Sequence, residues 1–161
     1  MGAAADCHVV FTGSGATNGI NRIVRLLEVE RRVAGGDRVV VLSGPYEHHS
    51  NILPWRESGA RVVEIAEAEC GGVDLASLDE ALEEASGADL IIGSFSAASN
   101  VTGIVTDVDT VTRRLKTAGA LAIWDYAAGA PYLPMDMGDG AAAKDAVSYT
   151  HLRAHETRGN L

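Results

Sequence analysis

Apolar residues in this 161-residue chain fall into two alternating rhythms. Short β-branched runs at residues 8–12, 38–43, 61–65, 90–95 and 121–125 are bounded by Gly, Ser or Asp and predict buried strands. Between them the spacing lengthens. Ile20, Ile23, Val24 and Leu27 recur at i, i+3, i+4 and i+7, which predicts an amphipathic helix over about 17–34, ended by Gly35 and Gly36. Leu75, Leu78 and Leu82 predict a second helix with Asp74 placed to cap it, and Val108, Val111 and Leu115 a third, closed by Gly119. Continuously apolar strands alternating with helices predict an α/β fold, three-layer α/β/α, with a mainly parallel sheet covered on both faces. No internal repeat or linker divides the pattern.

Four polar segments interrupt it where strands are expected to end: Gly13-Ser14-Gly15-Ala16-Thr17-Asn18-Gly19, Glu47-His48-His49-Ser50-Asn51, Ser99-Asn100-Val101-Thr102-Gly103 and Trp124-Asp125-Tyr126-Ala127. Ligands of open parallel sheets bind outside the carboxyl ends of the strands. One segment is shaped for a phosphate, and the others offer an imidazole, a carboxamide and a carboxylate. Together they suit a phosphorylated, aromatic, nitrogen-containing cofactor.

Each segment also has a plainer reading. Gly13, Gly15 and Gly19 come near the dinucleotide fingerprint of a nicotinamide-dependent Rossmann-type oxidoreductase, in which backbone amides approach a pyrophosphate at a helix start. That reading expects an acidic residue closing the second strand. Here the strand ends Leu42-Ser43-Gly44-Pro45, and Glu47 follows only after a proline turn. The glycines also suit a simple tight turn, Glu47 to His49 a solvated loop, and Asn100 a side chain that orders its own turn. Asp125 follows an apolar run, where an unpaired charge is costly, so a cationic partner is expected; the alternative is a cap for the next turn. A non-catalytic α/β module stays open.

In order and residue type the four segments resemble the class V aminotransferases, a family of fold type I pyridoxal phosphate enzymes that includes cysteine desulfurases and selenocysteine lyases. The resemblance runs from about residue 9 to 147. Gly15-Ala16-Thr17 resembles the family's phosphate turn, and Glu47 to Trp55 its histidine loop; Ser99 to Gly103, Asp125 and Ala130-Pro131-Tyr132 complete the order. The resemblance implies a partial large domain and pyridoxal phosphate held by Gly15, Ala16, Thr17, His48, Asn100 and Asp125. His48 would stack on the ring, Asn100 would donate to its phenolic oxygen, and Asp125 would keep the ring nitrogen protonated. It further implies an amino acid substrate, a desulfurase-like or aminotransferase reaction, and a homodimeric parent protein.

Two departures limit the match. The position three after the aspartate, often glutamine in desulfurases, is Ala128. The family's covalently attached lysine belongs to a Ser-x-His-Lys segment after one further strand; residues 144–147 resemble the start of that strand, and no such segment follows. Lys144 itself reads as a solvated surface residue. Without that lysine the chain is expected to be inactive as it stands.

Residues 147–161 are expected to be foreign to the fold. Val147 to Thr157 resembles a reading-frame translation of a transposase-type sequencing adapter, leaving 1–146 as the partial cofactor-binding domain. His151, His155 and Glu156 have the spacing of zinc ligands on a helix, but they fall in this tail and no metal site is expected. Setting aside Arg153, Arg158 and Glu156 moves the formal net charge from −9 to −10. Such an acidic chain disfavours nucleic acid and anionic membranes as partners. No apolar run approaches the ~20 residues of a membrane span. With two cysteines, Cys7 and Cys70, and no signal-like start, a cytoplasmic protein without a disulfide framework is expected.

Overall fold

The computed structural model describes residues 7–13 and 15–149. Five parallel strands, β1 (Val39–Ser43), β2 (Arg61–Glu64), β3 (Leu90–Ser96), β4 (Leu121–Asp125) and β5 (Ala146–Ser148), form one sheet in the order β2-β1-β3-β4-β5. The helices are α1 (Gly15–Leu26), α2 (Val29–Ala34), α3 (Leu53–Glu57), α4 (Leu75–Ala85) and α5 (Val108–Thr117).

Alternate strand residues supply two cores. Val39, Val41, Ile92 and Ile123 pack with Ile20 and Val24 of α1, Val29 of α2 and Trp55 of α3. Val40, Leu42, Phe95 and Trp124 face the other way, onto Leu78 and Leu82 of α4 and Val111 and Leu115 of α5. The three-layer arrangement thus follows from strands that are apolar on both faces. Gly93 lets α5 approach: a Cβ there would collide with both Leu115 methyl groups and lie 3.0 Å from Leu115 Cγ.

The chain passes from β1 outward to β2 and then returns to place β3 on the other side of β1. With right-handed crossovers, reversing the direction of travel puts α3 on one face and α5 on the other. The segments that leave the carboxyl ends of β1 and β3 therefore run to opposite faces of the sheet, which opens the crevice where such sheets bind ligands.

Three local expectations change. Residues 8–12 form no strand and are exposed, Phe11 to 89%; a β-branched run becomes a strand only with a ladder to join, and the five strands pair without it. The helix expected over 17–34 is two helices, because Glu28 adopts a left-handed conformation (φ 52°) that ends α1 and starts α2. Lys144 is 7% exposed rather than solvated, its ammonium 3.3 Å from Asp109 Oδ1 on the edge of α5. Asp74 caps α4 as expected, accepting from the N–H groups of Ala76 and Ser77.

Val147 and Ser148, the first residues of the expected foreign tail, lie in β5 opposite Trp124 and Asp125. His151, His155 and Glu156 lie outside the described residues.

Candidate functional site

Ala16, Thr17, His48, Asn100 and Asp125 line one cleft of about 190 Å³, with Ser50, Ser96, Ala98, Ala127 and Ala128. Gly15, the remaining residue expected here, begins α1 immediately beside Ala16, at φ 75°. A positive φ at a helix start favours glycine, and the two residues that follow it in α1, Ala16 and Thr17, line the cleft.

Asp125 ends β4 and is 4% exposed. Its Oδ1 accepts from the Ala127 N–H at 2.8 Å, while its backbone carbonyl accepts from Ala97, which ties the ends of β3 and β4 together. The cap expected as the plainer role is therefore present, and the same carboxylate still borders the cleft.

His48 is oriented from within its own loop. Its Nδ1 accepts from the Ser50 backbone N–H at 3.2 Å and lies 2.8 Å from Ser50 Oγ. An amide can only donate, so Nδ1 is the acceptor and the neutral ring carries its proton on Nε2. His49 is next to it but does not line the cleft. Asn100 tips a short excursion between Ala97 and Thr106, in which Ser99 Oγ accepts from the N–H groups of Val101 and Thr102. That hydroxyl, not the Asn100 side chain, orders the turn.

Sequence reasoning missed Glu47. The residue is half-buried overall, but its carboxylate is turned into the protein. Oε1 accepts from the Ser96 N–H at 2.6 Å, and Oε2 from Ser96 Oγ at 2.7 Å and Asn51 Nδ2 at 2.6 Å. Asn51 Oδ1 accepts in turn from Ser94 Oγ at 2.7 Å, which is bonded to Trp55 Nε1 at 3.0 Å. Burial pushes the Glu47 carboxyl above its usual range against the pull of these donors, and the charge of Asp125 pushes the same way. Nothing local could reveal this, since the partner strand lies 49 positions away.

The sequence has two lysines, and neither borders the cleft. Lys116 is 2.9 Å from both Asp145 carboxylate oxygens, and Lys144 is paired with Asp109. The nicotinamide reading loses its leading strand, because residues 7–12 form none ahead of Gly13. Among the described residues no helix is long and apolar enough to cross a membrane.

The sequence profile of the aminotransferase class-V family matches residues 1–142. A probable cysteine desulfurase of Streptomyces coelicolor is 30% identical over 93% of this chain and 35% of its own length. Probable cysteine desulfurase 2 of Mycobacterium leprae is 33% identical over 85% of this chain and 32% of its own. The chain thus spans about a third of the length of these curated relatives. In fold it is similar to the apo structure of a cysteine desulfurase from Thermococcus onnurineus, with a TM-score of 0.67 at 21% identity over 84% of this chain and 32% of that one. Profile, relatives and architecture agree: the chain belongs to the class-V aminotransferase family, whose enzymes depend on pyridoxal phosphate.

Proposed function

We propose that this chain carries the cofactor-binding face of a cysteine desulfurase-like enzyme or class V aminotransferase that uses pyridoxal phosphate on an amino acid. The observation that carries the reading is the convergence of Thr17, His48, Asn100 and Asp125, drawn from four separated stretches, on one cleft.

The donor set suits the group. The first N–H groups of α1 and the Thr17 hydroxyl would hold the phosphate, His48 would offer an aromatic face, and Asn100 would donate to the phenolic oxygen. Asp125 would hold a proton on the ring nitrogen through a charge-assisted bond worth about 1.5–3 kcal/mol. The Ala127 N–H keeps that carboxylate from rotating, and the methyl groups of Ala98, Ala127 and Ala128 give part of the wall an apolar surface. When bound, pyridoxal phosphate supplies an electron sink for charge developing at the substrate's α-carbon. Both lysines being committed elsewhere, the chain by itself holds the cofactor without a covalent bond and does not complete a reaction.

Titration of pyridoxal phosphate into the chain, followed by absorbance and thermal shift with nicotinamide dinucleotides in parallel, tests the reading. Saturable pyridoxal phosphate binding that Asp125→Asn weakens is the expected result. A thermal shift with a nicotinamide dinucleotide and none with pyridoxal phosphate would overturn it.

A further inference from the structure

The segment between β1 and α3 is fastened to β3 at two points with His48 between them. At one end the Glu47 carboxylate grips Ser96, taking its N–H at 2.6 Å and its hydroxyl at 2.7 Å. At the other, Asn51 bonds Ser94, two residues earlier on the same strand and at 0% exposure. A 2.6 Å bond from Asn51 to Glu47 closes the ring of contacts.

Backbone space is reserved for this grip. A Cβ on Gly44 would lie 2.7 Å from Glu47 Oε1 and 3.0 Å from Phe95 Cδ1. Ser96 pairs in register with Asp125 and itself borders the cleft. The grip therefore refers the His48 loop to the strand beside the buried aspartate. A carboxylate is also a costly choice here, because it is turned inward next to another carboxylate. A loop that only needed fastening could use a neutral side chain.

We propose that Glu47 is the positioning residue of the cleft: by clamping Ser96 it fixes the His48 imidazole relative to Asp125 and so sets how well the cleft recognises an aromatic phosphate. The recognition half of this inference rests on the pyridoxal phosphate reading; the geometric half does not.

The test separates the two halves. Nitrogen NMR of the histidine side chains in the full chain, without ligand, compares wild type with Glu47→Ala and Glu47→Gln, and His49 serves as the internal reference. Gly93→Ala is the control for destabilisation, since the added methyl meets Leu115 of α5 and Gly93 does not line the cleft. The expected result is that Glu47→Ala abolishes the single Nε2–H pattern of His48, leaves His49 unchanged and weakens pyridoxal phosphate binding about tenfold. Glu47→Gln can still accept from the Ser96 N–H but sets an amide NH2 against that of Asn51, so it restores the His48 pattern in part. Gly93→Ala leaves the pattern intact.

An unchanged His48 pattern in both Glu47 variants overturns the proposal, as does a Gly93→Ala variant that alters it equally. Should Glu47→Ala not fold, Glu47→Gln decides by the same readouts. If the wild-type chain binds no pyridoxal phosphate while Glu47 variants still disturb His48, the clamp stands and the functional reading falls. If wild type and Glu47→Ala bind it equally, the functional reading stands and the proposal falls.

Discussion

Ser96 and Asp125 end adjacent parallel strands as register partners, which places the serine that receives Glu47 directly beside the aspartate that borders the cleft. Polar groups from β1's following loop, β3 and β4 thereby share one rim, and that relationship makes the cleft's response to single substitutions specific.

Asp125→Asn preserves shape and can still accept from the Ala127 N–H, so the fold should survive it. What it removes is the charge. Loss of a charge-assisted bond of about 1.5–3 kcal/mol predicts pyridoxal phosphate binding weaker by about 10- to 100-fold. Fluorescence titration of both proteins at neutral pH measures this, and equal affinities would show that the aspartate serves only as a cap.

Glu47 predicts a pH dependence. Burial raises its folded value above the usual 4.5, and the nearby Asp125 charge adds to the rise. In that window the folded chain binds a proton more readily than the unfolded chain. The stabilising contribution is fully present below the unfolded value and is lost as pH rises through the folded one. Urea midpoints measured across this range should fall with pH for wild type and fall less for Glu47→Gln. Asp125→Asn should narrow the window by removing a neighbouring negative charge. A steeper decline in Glu47→Gln would contradict the assignment.

Gly93→Ala should destabilise by roughly 1–3 kcal/mol, because the added methyl meets Leu115 in a filled core. Combining it with Leu115→Ala should cost less than the sum of the two single changes, since each removes part of the other's collision. Chemical denaturation of the four proteins closes that cycle, and strict additivity would place the strain elsewhere.

Borohydride reduction after loading with pyridoxal phosphate, followed by peptide mapping, should give no stoichiometric label at Lys116 or Lys144, because both ammonium groups are held in ion pairs away from the cleft. Full labelling of Lys144 in the present chain would defeat this.

The sheet was largely legible. β4 spans the residues that its apolar run predicts, and α4 begins after the aspartate nominated as its cap, because each signal is contained within a few neighbouring residues. The candidate residues come from residue type and resemblance, and Ala16, Thr17, His48, Asn100 and Asp125 line one cleft, with Gly15 beside it at the start of α1. The misreadings concern what a residue finds elsewhere in the fold. Residues 8–12 have strand composition but no ladder; Lys144 has the character of a surface lysine but meets Asp109; Glu47 follows a proline turn like a solvated side chain but meets Ser96. Helix α3 was overlooked because it is five residues long and begins Leu53-Pro54, a proline acceptable only in a first turn.

The all-parallel sheet has a consequence for how the chain reaches its native state. Each strand pairing joins residues at least 21 positions apart, and the central β1–β3 pairing spans 51. Among the described residues no hairpin joins two of these strands, so loop closure has to be met before the ladders repay it, and refolding should be slow for a chain of this size. The cleft draws on residues spread from 16 to 128, so no early, locally collapsed species can contain it. A ligand of this cleft would therefore act on the last steps of assembly, slowing unfolding while leaving the initial collapse untouched.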